Sequence, residues 1–298
     1  MMPFIACTSG IAYVINAEDR LVDIAQQNLG DSSRWTEITK PDGTHFTQEE
    51  PKRLQPGHKI CLPKEFVPPQ TGRRFATIMS RETYEAMFPN RNSLYSYDNL
   101  IAAVGKFPRF CNEGTDEQCR REVAAFLANI AHETSGLYYI EEVNKENWPK
   151  YCDASNTAYP CVPGRTYHGR GPIQLSWNYN YGAATKALGV DLLANPDLVA
   201  SDGAIAFRTA LWFWMTPQPP KPSAHEVMTG GFSPSPDDAN LGRAPGFGMT
   251  INIINGGIEC GNGTTPQANS RIDFYKRFTQ MLGVSPGENL YCDRMAHY

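Results

Sequence analysis

Glu133 closes a run in which Val123, Phe126, Leu127 and Ile130 recur at i, i+3, i+4 and i+7, the spacing of one apolar helix face. A carboxylate three residues beyond Ile130 lies along the edge of a face that must be buried. Desolvation there would raise its pKa and keep a proton available near neutral pH, as a general acid requires. The competing reading is a last-turn Glu that reaches past the core into solvent. A second carboxyl would complete the pair that glycoside hydrolysis needs, one to protonate the leaving oxygen and one to activate water or attack carbon. Glu141 and Glu142 follow the apolar run Leu137-Tyr138-Tyr139-Ile140. Adjacent side chains of an extended stretch face opposite sides, so only one of the two can readily face Glu133, and chain parity does not say which. A solvated acidic pair is the plainer alternative.

Other chemistries fail on spacing. His132-Glu133-Thr134-Ser135-Gly136 begins like a zinc-protease motif, but Gly136 stands where H-E-x-x-H needs its second ligand. No G-x-S-x-G elbow is present for a serine hydrolase, and no Gly-rich loop with Lys and Ser/Thr for phosphate. We therefore expect neither metal nor cofactor. Downstream, Gly164 to Gly182 alternates polar groups with aromatics between glycines that permit close backbone approach, as a saccharide groove requires. Its Gln, Ser and Asn could equally serve only to satisfy backbone groups.

Composition agrees with a neutral, hydroxyl-rich partner. The 298 residues carry 27 Lys plus Arg against 31 Asp plus Glu, a net charge of −4, which offers no basic field for nucleic acid or an anionic membrane. Fourteen Tyr and five Trp suit sugar rings, which stack on aromatics, although most such residues fill cores. No run of about 18 apolar residues exists to span a membrane. The start, MMPFIACTSG, lacks the charged and long apolar regions of a signal peptide, which points to a leader already removed or to unconventional export.

The elements that must position these residues are mostly helical. Amphipathic segments over 81–88, 95–105, 118–133 and 203–215 alternate with long Gly/Pro/Asn loops, and strand alternation is scarce. Eight cysteines without a C-x-x-C fall into nearby couples, so disulfides are expected: Cys111/Cys119, Cys152/Cys161, Cys260/Cys292 and Cys7/Cys61. The opening segment reads as strand, helix, helix, strand. Tyr13, Val14 and Ile15 lead into Leu21, Ile24, Ala25 and Leu29 at helical spacing, a second short helix runs around Trp35 and Ile38, and Pro56-Gly57 turns into a closing strand.

Residues 11–63 resemble a LysM domain in the opening Y-x-(I/V), the central I-A and the closing L-x-P-G-x-x-I, with a departure at Ala17-Glu18-Asp19-Arg20-Leu21. The expected organisation is thus a small βααβ LysM-like carbohydrate-binding domain over 1–66, a Pro-rich linker over 67–74 and a catalytic domain over 75–298.

Residues 75 to 298 resemble glycoside hydrolase family 19 chitinases almost throughout. The matching runs are AHETSG (131–136), GRGPIQLSWNYNYG (169–182), LWFWMTPQ (211–218), PGFGMTINIINGGIECG (245–261) and RIDFYKRF (271–278). The resemblance implies a bilobal, lysozyme-like α-helical fold and endo-hydrolysis of β-1,4-linked N-acetylglucosamine polymers with inversion. It makes Glu133 the general acid, Glu142 the base and Ser176 a holder of the attacking water. It assigns Gln174, Tyr179, Asn180 and Asn255 to sugar binding, and His132, Glu259 and Arg271 to the network supporting the two glutamates. Between the glutamates, SGLYYIEEVNKEN resembles the shorter bacterial form, and Ala224 stands where plant sequences often carry Cys.

The expected protein is therefore a secreted, monomeric endochitinase acting on chitin and chitooligosaccharides, its LysM-like domain also able to hold cell-wall polysaccharide. Two alternatives are a peptidoglycan hydrolase, against which the Lys221 to Pro245 and YCDASNTAYPC segments stand, and a chitin-binding protein without activity.

Overall fold

The computed structural model describes residues 7, 11–15, 19–29, 32–47, 50, 54–62 and 73–298. The chain divides into two compact units, Met1–Gln70 and Thr71–Tyr298. The linker expected over 67–74 lies, up to residue 72, outside the described residues, as does the departure at Ala17 and Glu18.

In the first unit, β1 (Ile11–Val14) pairs antiparallel with β2 (Lys59–Leu62), with Tyr13 opposite Ile60 and Ala12 opposite Cys61. Between them run α1 (Leu21–Leu29) and a 3₁₀ helix, Ser32–Glu37. Leu21, Ile24 and Ala25 come to one face because residues three and four apart stack along a helix. They form a small core with Ile15, Ile38, Ile60 and Leu62, and the disulfide Cys7–Cys61 ties its edge.

The second unit is helical: α2 (Arg73–Ile78), α3 (Arg81–Met87), α4 (Tyr97–Val104), α5 (Asp116–Glu133), α6 (Asn178–Leu188), α7 (Leu198–Ser201), α8 (Gly203–Met215), α9 (Ala224–Thr229), α10 (Pro236–Asn240), α11 (Phe247–Glu259) and α12 (Pro266–Met281). At its centre α5 packs against α12, α9 and α11. Every residue from Glu122 to Ala131 is buried, so this helix is enclosed all round rather than striped. Its apolar periodicity suggested a start at 118, but the helix begins at Asp116. Thr115 caps it, accepting from Gln118 N while the Gln118 side chain bonds back to Thr115 N, a polar first turn that apolar spacing does not register. α8 has its expected bounds, and its Trp214 stacks edge-on against Phe126 of α5 at 5.7 Å.

All eight cysteines are paired as the spacing suggested, with Cα separations of 4.6 Å for Cys111–Cys119, 6.1 Å for Cys152–Cys161 and 5.0 Å for Cys260–Cys292. Ala224, at the position where a cysteine was considered, is buried in α9 beneath a Ser223–Glu226 capping box. Among the described residues no helix is long and apolar enough to cross a membrane.

Candidate active site

A cavity of about 510 Å³ opens among the end of α5, the loop after it, the 169–177 turn, α6 and α11. Glu133, Glu142, Gln174, Ser176, Asn180 and Asn255 line it, together with Tyr151, Trp177, Phe213 and the aliphatic Ile173, Leu175, Ile254 and Ile258. That volume and mixture suit a sugar, whose ring faces need apolar contact and whose hydroxyls need hydrogen-bond partners.

Glu133 is the last residue of α5, where the buried helix runs out at the cavity wall. Its side chain keeps 19% of its exposure, so the desolvated environment expected from periodicity is only partial. The reason is its position at the C-terminus, with a polar partner behind it. Arg271, fully buried on α12, donates through Nη2 to Glu133 Oε1, and through Nη2 and Nε to Glu259 at 2.8 and 2.9 Å. It also reaches Asn129 Oδ1 at 3.2 Å. Burial opposes the charge of Arg271, but Glu133 and Glu259 outweigh it and hold the guanidinium protonated.

Glu259 is buried at the end of α11. Burial works to raise it, yet the Arg271 hydrogen bonds and charge, with Asn255 Nδ2 at 2.9 Å, bring it below the usual carboxylate range. Asn255 reaches both the cavity and Glu259 because α11 breaks there, with φ −146° and ψ 35°. His132 bonds Ser270 through Nδ1 at 3.0 Å, and burial, then the Arg271 charge, hold it below the ordinary imidazole value.

The two adjacent glutamates separate as extended backbone demands. Glu142 lines the cavity, whereas Glu141, whose backbone pairs antiparallel with that of Arg170, places Oε2 3.6 Å from His168 Nε2. Glu142 N donates to Gly169 O at 2.8 Å, its Oε1 accepts from Asn147 Nδ2 at 2.9 Å, and its Oε2 is buried without a hydrogen bond. Tyr151 stands beside it, its phenol raised by burial and then by the Glu142 carboxylate. A Cβ at Gly169 would lie 2.9 Å from Gln174 Oε1, so any larger residue there would have to displace the Gln174 amide.

The 171–177 turn holds its polar groups by bonding its own backbone. Gln174 Nε2 donates to Gly171 O at 3.0 Å, Ser176 Oγ to Gln174 O at 2.9 Å and Asn180 Nδ2 to Ser176 O at 2.9 Å. The backbone-satisfying role and the cavity-lining role thus coincide in the same side chains. Gln174 and Trp177 adopt positive φ, 52° and 76°, a cost of order 1–3 kcal/mol each that sterically over-determined functional turns sustain. Tyr179 does not line the cavity. Successive helical residues are turned by about 100°, so Asn180 faces inward while the Tyr179 ring stacks with Trp177 at 5.8 Å.

Reasoning from sequence missed Tyr151, Phe213 and Ile258 as lining residues and Asn147 as the partner of Glu142.

A carboxylate pair opening on one aromatic and polar cleft, set in a mainly helical lysozyme-like domain, has the make-up of a glycoside hydrolase. The chain belongs to glycoside hydrolase family 19: the family model described as chitinase class I matches residues 75–292. Endochitinase 1 of Gossypium hirsutum is 50% identical over 236 residues, 72% of this chain and 72% of that protein. The inactive chitinase-like protein 1 of Hevea brasiliensis is 48% identical over 241 residues, 74% of this chain and 76% of that protein. The crystal structure of chitinase C from Streptomyces griseus HUT6037 superposes with a TM-score of 0.64 at 46% identity, covering 72% of this chain and 97% of that one.

Proposed function

We propose that this protein is an endochitinase that cleaves β-1,4-linked N-acetylglucosamine polymers by single displacement. The observation that carries the reading is the presence of Glu133 and Glu142 on one cavity of sugar-binding size. Glu133 protonates the leaving glycosidic oxygen, and Glu142 takes a proton from water as that water attacks the anomeric carbon. Glu142 lines the cavity with the Tyr151 phenol beside its carboxylate. The Ser176 hydroxyl spends its proton on Gln174 O, which leaves its lone pairs to accept from the same water. Gln174, Asn180 and Asn255 hydrogen-bond the sugar, with Tyr179 contributing through the Trp177 wall. His132, Glu259 and Arg271 form the support behind Glu133.

The first unit is, in this reading, a LysM-like module that holds chitin or related wall polysaccharide. The order strand, helix, short helix, strand with a paired β1–β2 supports it. Four disulfides support a secreted enzyme. Release of reducing ends from chitin, compared with clearing of a bacterial wall suspension, tests the assignment. Wall clearing alone would make it a peptidoglycan hydrolase, and tight chitin binding with no release would place it with inactive relatives.

A further inference from the structure

Glu142 sits in a long stretch with little regular structure between α5 and α6, so something other than a helix must fix it. The 3₁₀ turn Lys145–Lys150, opened by Asn144 accepting from Glu146 N, folds back over it. From that turn the Trp148 indole lies flat on the buried His168 ring, centroids 3.6 Å apart and planes 7° from parallel. Trp148 Nε1 donates to Glu142 O at 3.0 Å.

The circuit closes through the next residue. His168 precedes Gly169, whose carbonyl accepts from Glu142 N at 2.8 Å. Asn147, next to Trp148, donates to Glu142 Oε1, and Lys150 Nζ donates to Asn147 Oδ1 at 2.7 Å, which fixes which way the amide points. Glu142 is thereby gripped at its N–H, its carbonyl and one carboxylate oxygen, with the His168–Trp148 stack joining the two sides of the grip. The stack is itself anchored. Thr166 Oγ1 lies 3.0 Å from His168 Nδ1, and Lys145 Nζ sits 5.2 Å from the centre of the Trp148 ring. Burial, then the Arg170 charge, pull His168 down to about 4, so near neutral pH the contact is between two uncharged rings. Trp148 does not line the cavity, so it is placed to act on Glu142 and not on the sugar.

We propose that Trp148, stacked on His168, is a positioning residue that sets the height and direction of the Glu142 carboxylate for attack by water. This rests on reading Glu142 as the base. Misplacement of a reacting group by about an ångström costs on the order of a hundredfold. The test is steady-state hydrolysis of a soluble chitin hexamer by the full chain carrying Trp148→Ala, Trp148→Phe, Glu142→Gln and the Trp148→Ala/Glu142→Gln pair, with thermal melts of each.

The expected result is a loss of about ten- to a hundredfold in kcat for Trp148→Ala with KM within about twofold. Trp148→Phe, which keeps a ring on His168 but loses the N–H that holds Glu142 O, should recover part of that loss. In the Glu142→Gln background the Ala change should cost no more than about twofold further, because the group it positions is already gone. Unchanged kcat in Trp148→Ala, or no recovery in Trp148→Phe, overturns the proposal while an inactive Glu142→Gln leaves the base assignment standing. An active Glu142→Gln removes the base assignment and the proposal with it.

Discussion

Arg271 Nη2 donates to Glu133 at the end of α5, although the two residues are 138 positions apart, and the same nitrogen holds Glu259 on α11 at 2.8 Å. One buried cation on α12 therefore orients the side chain we assign as the acid and ties together α5 and α11, whose ends line the cleft. Glu133 meets the sugar with one oxygen already committed, which fixes the direction of its carboxyl group. A free rotor would have to be ordered in every turnover.

Substitution at the carboxylates separates the roles. Glu133→Gln keeps the shape and a hydrogen-bonding side chain but cannot donate the proton, so turnover should vanish while folding and sugar binding persist. Glu142→Gln should also cost heavily. Glu141→Gln, whose partner is His168 rather than the cavity, should cost little. Initial rates on soluble chitin oligomers check this, and the reverse ranking of the two neighbours would move the base to Glu141.

Removing the shared cation should cost stability as well as rate. Arg271→Ala leaves Glu259 buried without its partner and frees Glu133. Breaking a buried pair in this way typically costs about 3–5 kcal/mol. Denaturant unfolding measures it, and a change below about 1 kcal/mol would mean that water replaces the guanidinium at little cost.

Stability should peak in a narrow window close to pH 6.5, because His168 and His132, held below the ordinary imidazole value in the fold, already lose stability as pH falls from 6.5. Glu259 has its folded pKa lowered from 4.5, so its contribution is present above 4.5 and is lost as pH falls through the folded value. His225 is buried between Glu122 and Glu113, at 2.6 and 2.9 Å. Burial opposes its protonation, but both carboxylates outweigh burial and raise it above 6.5. Its contribution is therefore complete below 6.5 and is lost as pH rises through the folded value. Melting curves across pH should fall on both sides of that window, and His225→Gln should remove the decline on the alkaline side. A wild-type curve that keeps rising above pH 6.5 would contradict this account of His225.

Sequence disclosed the helical second unit because long apolar periodicities such as that of α8 survive any packing arrangement. It disclosed Cys111–Cys119 and Cys152–Cys161 through spacings of 8 and 9 residues, and the other two pairs because each joins cysteines left near the ends of a domain. It offered Glu133 through its place on the α5 face, but the cation behind it only through the family resemblance that names Arg271. The partner comes from α12, and no local spacing connects Arg271 to Glu133. The choice of Glu142 over Glu141 likewise came from the resemblance, since parity places them on opposite sides without saying which side is the cleft. Glu122 escaped notice on the same helix. It lies buried one position before Val123 and is satisfied by Cys111 N at 2.9 Å and by Trp214 Nε1 at 3.1 Å and His225, the last two about a hundred positions away.

The first unit should act on the solid and not on the bond. Deleting residues 1–72 should reduce hydrolysis of insoluble chitin several-fold, because a tethered binder supplies an effective concentration on the order of mM. Rates on a soluble hexamer should stay within about twofold by the same proximity reasoning. Equal losses on both substrates together with a lower melting temperature would assign the unit a stabilising role instead.

The central claim, one carboxylate protonating the leaving oxygen while the other directs water onto the opposite face, is tested most directly by the anomeric form of the first products. Inverting enzymes leave about 6.5–9.5 Å between the carboxyl groups for that water, whereas retaining enzymes leave about 5–5.5 Å for direct attack. Proton NMR of a chitin hexamer in the first minutes of hydrolysis, before mutarotation, should show the α-anomer at the newly formed reducing ends. Predominantly β-anomer there would contradict single displacement and make the second carboxylate a nucleophile.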